Sequence, residues 1–199
     1  MRTEILICGS GGQGIVLAGT ILGDALANSG KRVTLTKSYG PEARGGASSA
    51  EIIVSDDTIY SIEVSKPNYL IMLSLSALKK FTVKAVEETI VIVDENIAEK
   101  DQKHPWGRKI VAFPFTRLAE ELGNLIYTNM IFLGFFTAIT RILTPESIKK
   151  AIRRRVTKGI EKDLIAFEKG YDLAIAFSGS GLAEAKQELS IKAKLGGGK

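Results

Sequence analysis

The chain of 199 residues contains one cysteine, Cys8, and one histidine, His104. One thiol cannot supply the four thiolates of an iron–sulfur cluster, and one Cys beside one His cannot close a zinc cage. A disulfide within the chain is excluded for the same reason. Long apolar runs are missing too. The densest, Met130 to Leu143, is broken by Thr137, Thr140 and Arg141. It falls short of the roughly 20 residues that cross a bilayer, so no membrane partner is expected and the run is read as a core or interface helix. Met1 to Gly12 holds an acidic residue and glycines where an export signal carries a long apolar stretch, which predicts a cytoplasmic protein.

What is present is the make-up of an ordinary globular protein: 45% apolar and 25% charged residues exclude a disordered or fibrous chain. The net charge of +5 suits a polyanionic ligand, a nucleic acid or plain solubility, and selects none of them. The run Arg153-Arg154-Arg155 would spread around a helix axis instead of forming one stripe. A solvated helix face or an anion contact is the reading of these arginines. Lys31 to Lys37 carries no aromatic for base stacking, so no nucleic-acid partner is expected.

Glu4 to Cys8 is a short apolar run stopped by Gly9, and Ile15 to Ser29 has its apolar residues at helical spacing. Gly30 ends that helix, and the β-branched stretch Lys31 to Lys37 follows as a second strand parallel to the first. A strand is predicted at Ser49 to Val54, with Asp56-Asp57 as a turn and Thr58 to Val64 returning as the other arm of a hairpin. Asn68 to Leu73 is apolar enough to be buried on both faces. A helix over Ser76 to Glu88 then leads to strands at Thr89 to Val93 and Lys109 to Phe113. Beyond Pro114 the pattern turns helical: Thr116 to Leu122, Thr128 to Leu143, a helix capped by Thr144 with Pro145 in its first turn, and Thr157 to Phe177. The expected fold class is α/β, a mostly parallel, Rossmann-like sheet with an antiparallel hairpin insert and C-terminal helices. Residues 1–177 are read as a single α/β domain and residues 178–199 as a flexible tail.

Two glycine-rich motifs carry the chemistry. Gly9-Ser10-Gly11-Gly12-Gln13-Gly14 satisfies G-x-G-x-x-G between a strand and a helix. There, glycines let an anionic group approach N–H groups at the positive end of the helix, or simply allow close strand–helix packing. A dinucleotide enzyme would also place a carboxylate about 20 residues on, at the end of the second strand. Thr36, Lys37 and Ser38 stand there instead, which disfavours NAD; Lys37 suits a phosphorylated ribose or plain solvent. Gly14 is followed by Ile15-Val16, so no Walker pattern exists either. The second motif, Ser38-Tyr39-Gly40-Pro41-Glu42-Ala43-Arg44-Gly45-Gly46, leaves the second strand at the same carboxyl edge. Arg44 offers a planar cation for phosphate or carboxylate, or a pair for Glu42 or a neighbouring chain.

These two motifs, with the hairpin and Lys66-Pro67-Asn68-Tyr69-Leu70, resemble the gamma subunit of the 2-oxoacid:ferredoxin oxidoreductases over about Glu4 to Ala176. The form of the second motif is most like the 2-oxoglutarate branch. The resemblance implies a subunit of an enzyme that converts a 2-oxoacid and coenzyme A to acyl-CoA and CO2 while reducing ferredoxin, with this chain not catalytic alone. It implies that thiamine diphosphate with its Mg, and the iron–sulfur clusters, sit on partner alpha, beta and ferredoxin-like delta subunits. This chain would hold no cofactor by itself, and coenzyme A would be the cosubstrate it helps to bind. Gly11, Gly12, Gln13 and Gly14 of the first loop and Gly40, Arg44 and Gly45 of the second are the residues so implied, as contacts to coenzyme A or to a neighbouring subunit. No catalytic or metal-binding residue is expected here. The alternative from the residues alone is a self-sufficient NADP-dependent oxidoreductase.

Of the remaining residues, Cys8 reads as a small buried hydrophobe ahead of a redox thiol, and His104 as a loop residue ahead of a general base. Trp106 could anchor an interface. Phe132, Leu133, Phe135 and Phe136 are too dense for a half-exposed helix, which leaves a central core helix or a face buried by a partner.

Overall fold

The structure, a computed structural model, describes residues 2–39, 46–100 and 109–177. Six strands form one sheet: β1 (Arg2–Ser10), β2 (Arg32–Ser38), β3 (Ala47–Ser55), β4 (Tyr69–Met72), β5 (Ile90–Asp94) and β6 (Lys109–Phe113), in the order β2-β3-β1-β4-β5-β6. β1, β4, β5 and β6 run parallel, and β3 is antiparallel to both its neighbours, β1 and β2. The expected α/β class, mostly parallel with an antiparallel hairpin, is the architecture observed.

Along β1 the side chains alternate between two cores. Ile5 and Ile7 face α1 (Ile15–Asn28), α4 (Phe115–Glu121), α5 (Thr128–Thr140), α6 (Pro145–Arg155) and α7 (Ile160–Phe177). Leu6 and Cys8 face α2 (Leu75–Phe81) and α3 (Glu95–Lys100). All four are fully buried, which is why β1 reads as an unbroken apolar run instead of an alternating one.

The dense aromatic helix α5 lies between the sheet and α7, and every residue from Thr128 to Ile139 is buried. Phe135 packs 4.3 Å from Phe113 and 5.2 Å from Phe115, centroid to centroid, so of the two readings of this helix the core holds. Two glycines allow α7 to cover it. A Cβ on Gly134 would lie 2.0 Å from the Phe167 carbonyl oxygen, and one on Gly170 2.1 Å from that of Ile131.

Several boundaries differ from those expected, each for a local reason. The arm paired with β3 is β2, with Lys37 opposite Ala50, and residues 58–64 form no strand. Their alternation instead buries Val64 on the second face, where its N–H donates to Glu51 Oε2 at 3.0 Å and its carbonyl accepts from Lys84 Nζ at 2.9 Å. The helix expected to reach Glu88 ends at Phe81 and tightens into a 3-10 turn at Thr82–Lys84. The unforeseen α3 is started by the buried Asp94, which accepts N–H bonds from Asn96 (3.1 Å) and from Thr116 at the head of α4 (2.7 Å). α5 stops at Thr140 because Arg141 turns left-handed, with φ 52°.

The arginine run ends in an anion contact: Asp24 on α1 accepts from Arg154 (2.6 Å) and Arg155 on α6. Cys8 is buried, and that burial pushes its thiol well above the ordinary range. His104, Trp106 and residues 178–199 lie outside the described residues. Among those described, no helix is long and apolar enough to cross a membrane.

Candidate functional site

β1 delivers the first glycine motif to the carboxyl edge of the sheet, between β3 on one side and β4 on the other. Strand order reverses here, since the chain leaves β1 for the β3 side and later returns to β4; ligands of open α/β sheets bind at such a switch point. The loop after Ser10 is a short turn, closed by the Gln13 N–H on the Ser10 carbonyl at 3.2 Å. Gly14 then caps the start of α1 and takes φ 69°.

Gly14 is glycine for two reasons. Its left-handed backbone disfavours any side chain, and a Cβ would meet Asn129 Nδ2 at 2.1 Å. Asn129 sits in the first turn of α5, 1% exposed, and donates from Nδ2 to the Gly14 carbonyl at 3.3 Å. Its Oδ1 is buried without a hydrogen-bond partner among the described residues. A buried acceptor left open beside the glycine loop is one of the few exceptions to the pairing of buried polar atoms.

Gln13 works as a clamp. Its Oε1 accepts from the Ser10 N–H at 2.7 Å and its Nε2 donates to the Leu73 carbonyl at 2.8 Å, joining the ends of β1 and β4. Both polar ends of the side chain are thus occupied. The backbone is left open: among the described residues the N–H groups of Gly12, Gly14, Ile15 and Val16 have no acceptor. α1 carries no acidic residue in its first turn, so nothing there opposes an anion at its positive end. Beside the loop, the Ser10 hydroxyl lies 3.3 Å from that of Ser76, which lies 3.0 Å from that of Ser74.

The second motif returns to the same place. β2 ends at Ser38, β3 starts at Ala47 opposite Ser10, and Gly46 accepts the Gly11 N–H at 3.0 Å. The two motifs therefore meet by a backbone bond, and Tyr39 stands exposed at their margin. Gly40, Arg44 and Gly45 lie outside the described residues. No carboxylate closes β2, and β3 occupies the place beside β1 that the second parallel strand takes in the dinucleotide fold. Asn129 is the residue that sequence reasoning missed. It lies 115 positions from Gly14, and in an apolar helix it looks like a chance polar residue.

Comparison with known proteins gives this geometry a lineage. The sequence model of the family "Pyruvate ferredoxin/flavodoxin oxidoreductase" matches residues 4–173. The chain belongs to this family. Within the family, the 2-oxoglutarate synthase subunit KorC of Methanocaldococcus jannaschii is 45% identical over 177 residues, spanning 87% of this chain and 95% of that protein. The subunit of the same name from Archaeoglobus fulgidus is 41% identical over 173 residues, spanning 86% and 88%. A crystal structure of the gamma subunit of keto/oxoacid ferredoxin oxidoreductase from Geobacter sulfurreducens superposes with a TM-score of 0.74 at 30% identity, covering 88% of this chain and 98% of that one. The family match spans both glycine motifs and ends short of residues 178–199.

Proposed function

We propose that the chain is the gamma subunit of a 2-oxoglutarate:ferredoxin oxidoreductase and that its two joined glycine motifs help hold coenzyme A. The observation that carries the site is the backbone bond from Gly11 to Gly46, which joins the end of the second motif to the loop that opens α1. The branch rests on the relatives named 2-oxoglutarate synthase subunit KorC. The unbonded N–H groups of Gly12, Gly14, Ile15 and Val16 suit a pyrophosphate, and Arg44 of the second motif adds a permanent cation. Gln13 contributes by fixing the turn, and Asn129 by pinning the Gly14 carbonyl from α5.

In the reaction this assigns, 2-oxoglutarate and the coenzyme A thiol give succinyl-CoA and CO2, and the released electron pair passes to ferredoxin. Thiamine diphosphate with Mg supplies the decarboxylation and iron–sulfur clusters the electron path, both on partner subunits. The donor set of this chain fits that division, because its one cysteine is fully buried and cannot ligate a cluster. An NADP-dependent enzyme is the weaker reading, since β3 fills the place beside β1 where the adenine ribose would be read.

The test uses the assembled complex. Arg44→Ala is expected to raise the KM for coenzyme A by roughly tenfold, the scale of one charge-assisted contact, with the KM for 2-oxoglutarate unchanged. Equal changes in both would remove Arg44 from the coenzyme A site.

A further inference from the structure

The opposite edge of the sheet carries a second feature that the family reading does not use. Where β1 and β4 begin and α1 and α5 end, there is a cavity of about 300 Å³. Leu26, Val54, Tyr69 and Ile142 give it apolar walls, and its charged lining is two cations, Lys31 and Arg141, with one carboxylate, Asp56. That volume is at the lower end of ligand pockets, and the lining has their usual character, mostly apolar with a few polar groups. A more open hollow of about 510 Å³ adjoins it through the shared residues Arg141 and Ile142.

The two cations are not equivalent. Lys31 is engaged by Asp56. The guanidinium of Arg141 has no hydrogen bond or ion pair among the described residues. Arg141 is also the one described residue other than glycine with a positive φ, at the end of α5 where glycine is the usual occupant. Attraction to the negative end of α5 would favour a cation anywhere in the last turn, yet that turn has no basic residue and the arginine stands at the strained position just beyond it. Arg141 is exposed, so its guanidinium is solvated and free to exchange water for a ligand; backbone strain kept at such a residue beside a cavity points to a ligand that pairs with it.

We propose that this cavity binds a small monocarboxylate with an apolar body, its carboxylate held by Arg141 and its body against Leu26, Tyr69 and Ile142. Guanidinium and carboxylate match as a fork of paired hydrogen bonds. The site is on the edge away from the glycine motifs and does not depend on what they bind.

The experiment is calorimetric titration of the full-length chain with phenylacetate, using phenylacetamide as the neutral isostere. Saturable binding of the acid at one site, at least tenfold tighter than the amide, is expected. Arg141→Gly keeps the left-handed backbone without strain, so it should melt at the same temperature as the parent or higher and lose roughly tenfold or more in phenylacetate affinity. Arg141→Asn, which also tolerates that backbone, should behave alike and guards against a folding defect in either variant. Equal affinity for acid and amide, full phenylacetate affinity in both variants, or no saturable binding up to ~10 mM would overturn the assignment.

Discussion

Gln13 and Asn129 hold the glycine loop from opposite sides, one tying it to β4 and the other to α5. Neither needs a ligand to be useful, since each satisfies backbone groups at a turn made mostly of glycine. Gln13→Ala should leave the Leu73 carbonyl and the Ser10 N–H without their partner and cost about 1–3 kcal/mol. Urea unfolding checks this through a lower midpoint at an unchanged slope. An unchanged midpoint would mean that water replaces the amide at no cost.

At the same scale, Asp24 ties α1 to α6. Burial alone would raise its pKa, but the bonds from Arg154 and Arg155 outweigh burial and hold it below the ordinary 3.8. A carboxylate with a depressed folded pKa stabilises the fold above its unfolded value, and that contribution disappears as pH falls through the folded one. Acid unfolding should therefore steepen below about pH 4. Asp24→Asn should flatten that limb while lowering stability at neutral pH. Parallel acid limbs in the two proteins would place the pH dependence elsewhere.

Among the elements, the α5–α7 crossing shows how a composition too apolar for a surface helix is accommodated. Glycines at 134 and 170 let the backbones touch, so that α7 roofs α5 and no partner is needed to bury Phe135. Gly134→Ala would force its Cβ against backbone, which cannot rotate away. A loss of about 1–3 kcal/mol or more is expected, read as a drop in the thermal midpoint. Retention of the parent midpoint would mean the helices can separate freely.

Legibility also divides by element. The strands β1, β5 and β6 and the capped start of α6 were readable because apolar runs and Thr144-Pro145 carry their own local signal. The partner of β3 was not, because residues 58–64 alternate like a strand while their polar groups are used by Glu51 and Lys84. Pairing is decided by what lies alongside in space, and no local pattern encodes that. The glycine loop was readable from its motif, whereas its support by Asn129 was not, since that contact bridges two distant segments.

For the whole molecule, the sheet separates two ends with different chemistry. The carboxyl edge presents backbone donors of the first glycine motif, which Gly11 joins to Gly46 of the second, and the amino edge presents Arg141 beside a cavity with apolar walls. Two independent cores, one on each face of the sheet, give both ends a rigid base. The first end is the one proposed to help hold coenzyme A.

The most direct measurement is anoxic affinity capture of the full-length chain from its native host, followed by mass spectrometry and an assay of dye reduction. The account predicts thiamine-binding and cysteine-rich ferredoxin-like chains in fixed ratio, with reduction that requires both 2-oxoglutarate and coenzyme A. A chain that purifies alone and binds NADP, or an assembly active with another 2-oxoacid and silent with 2-oxoglutarate, would contradict it.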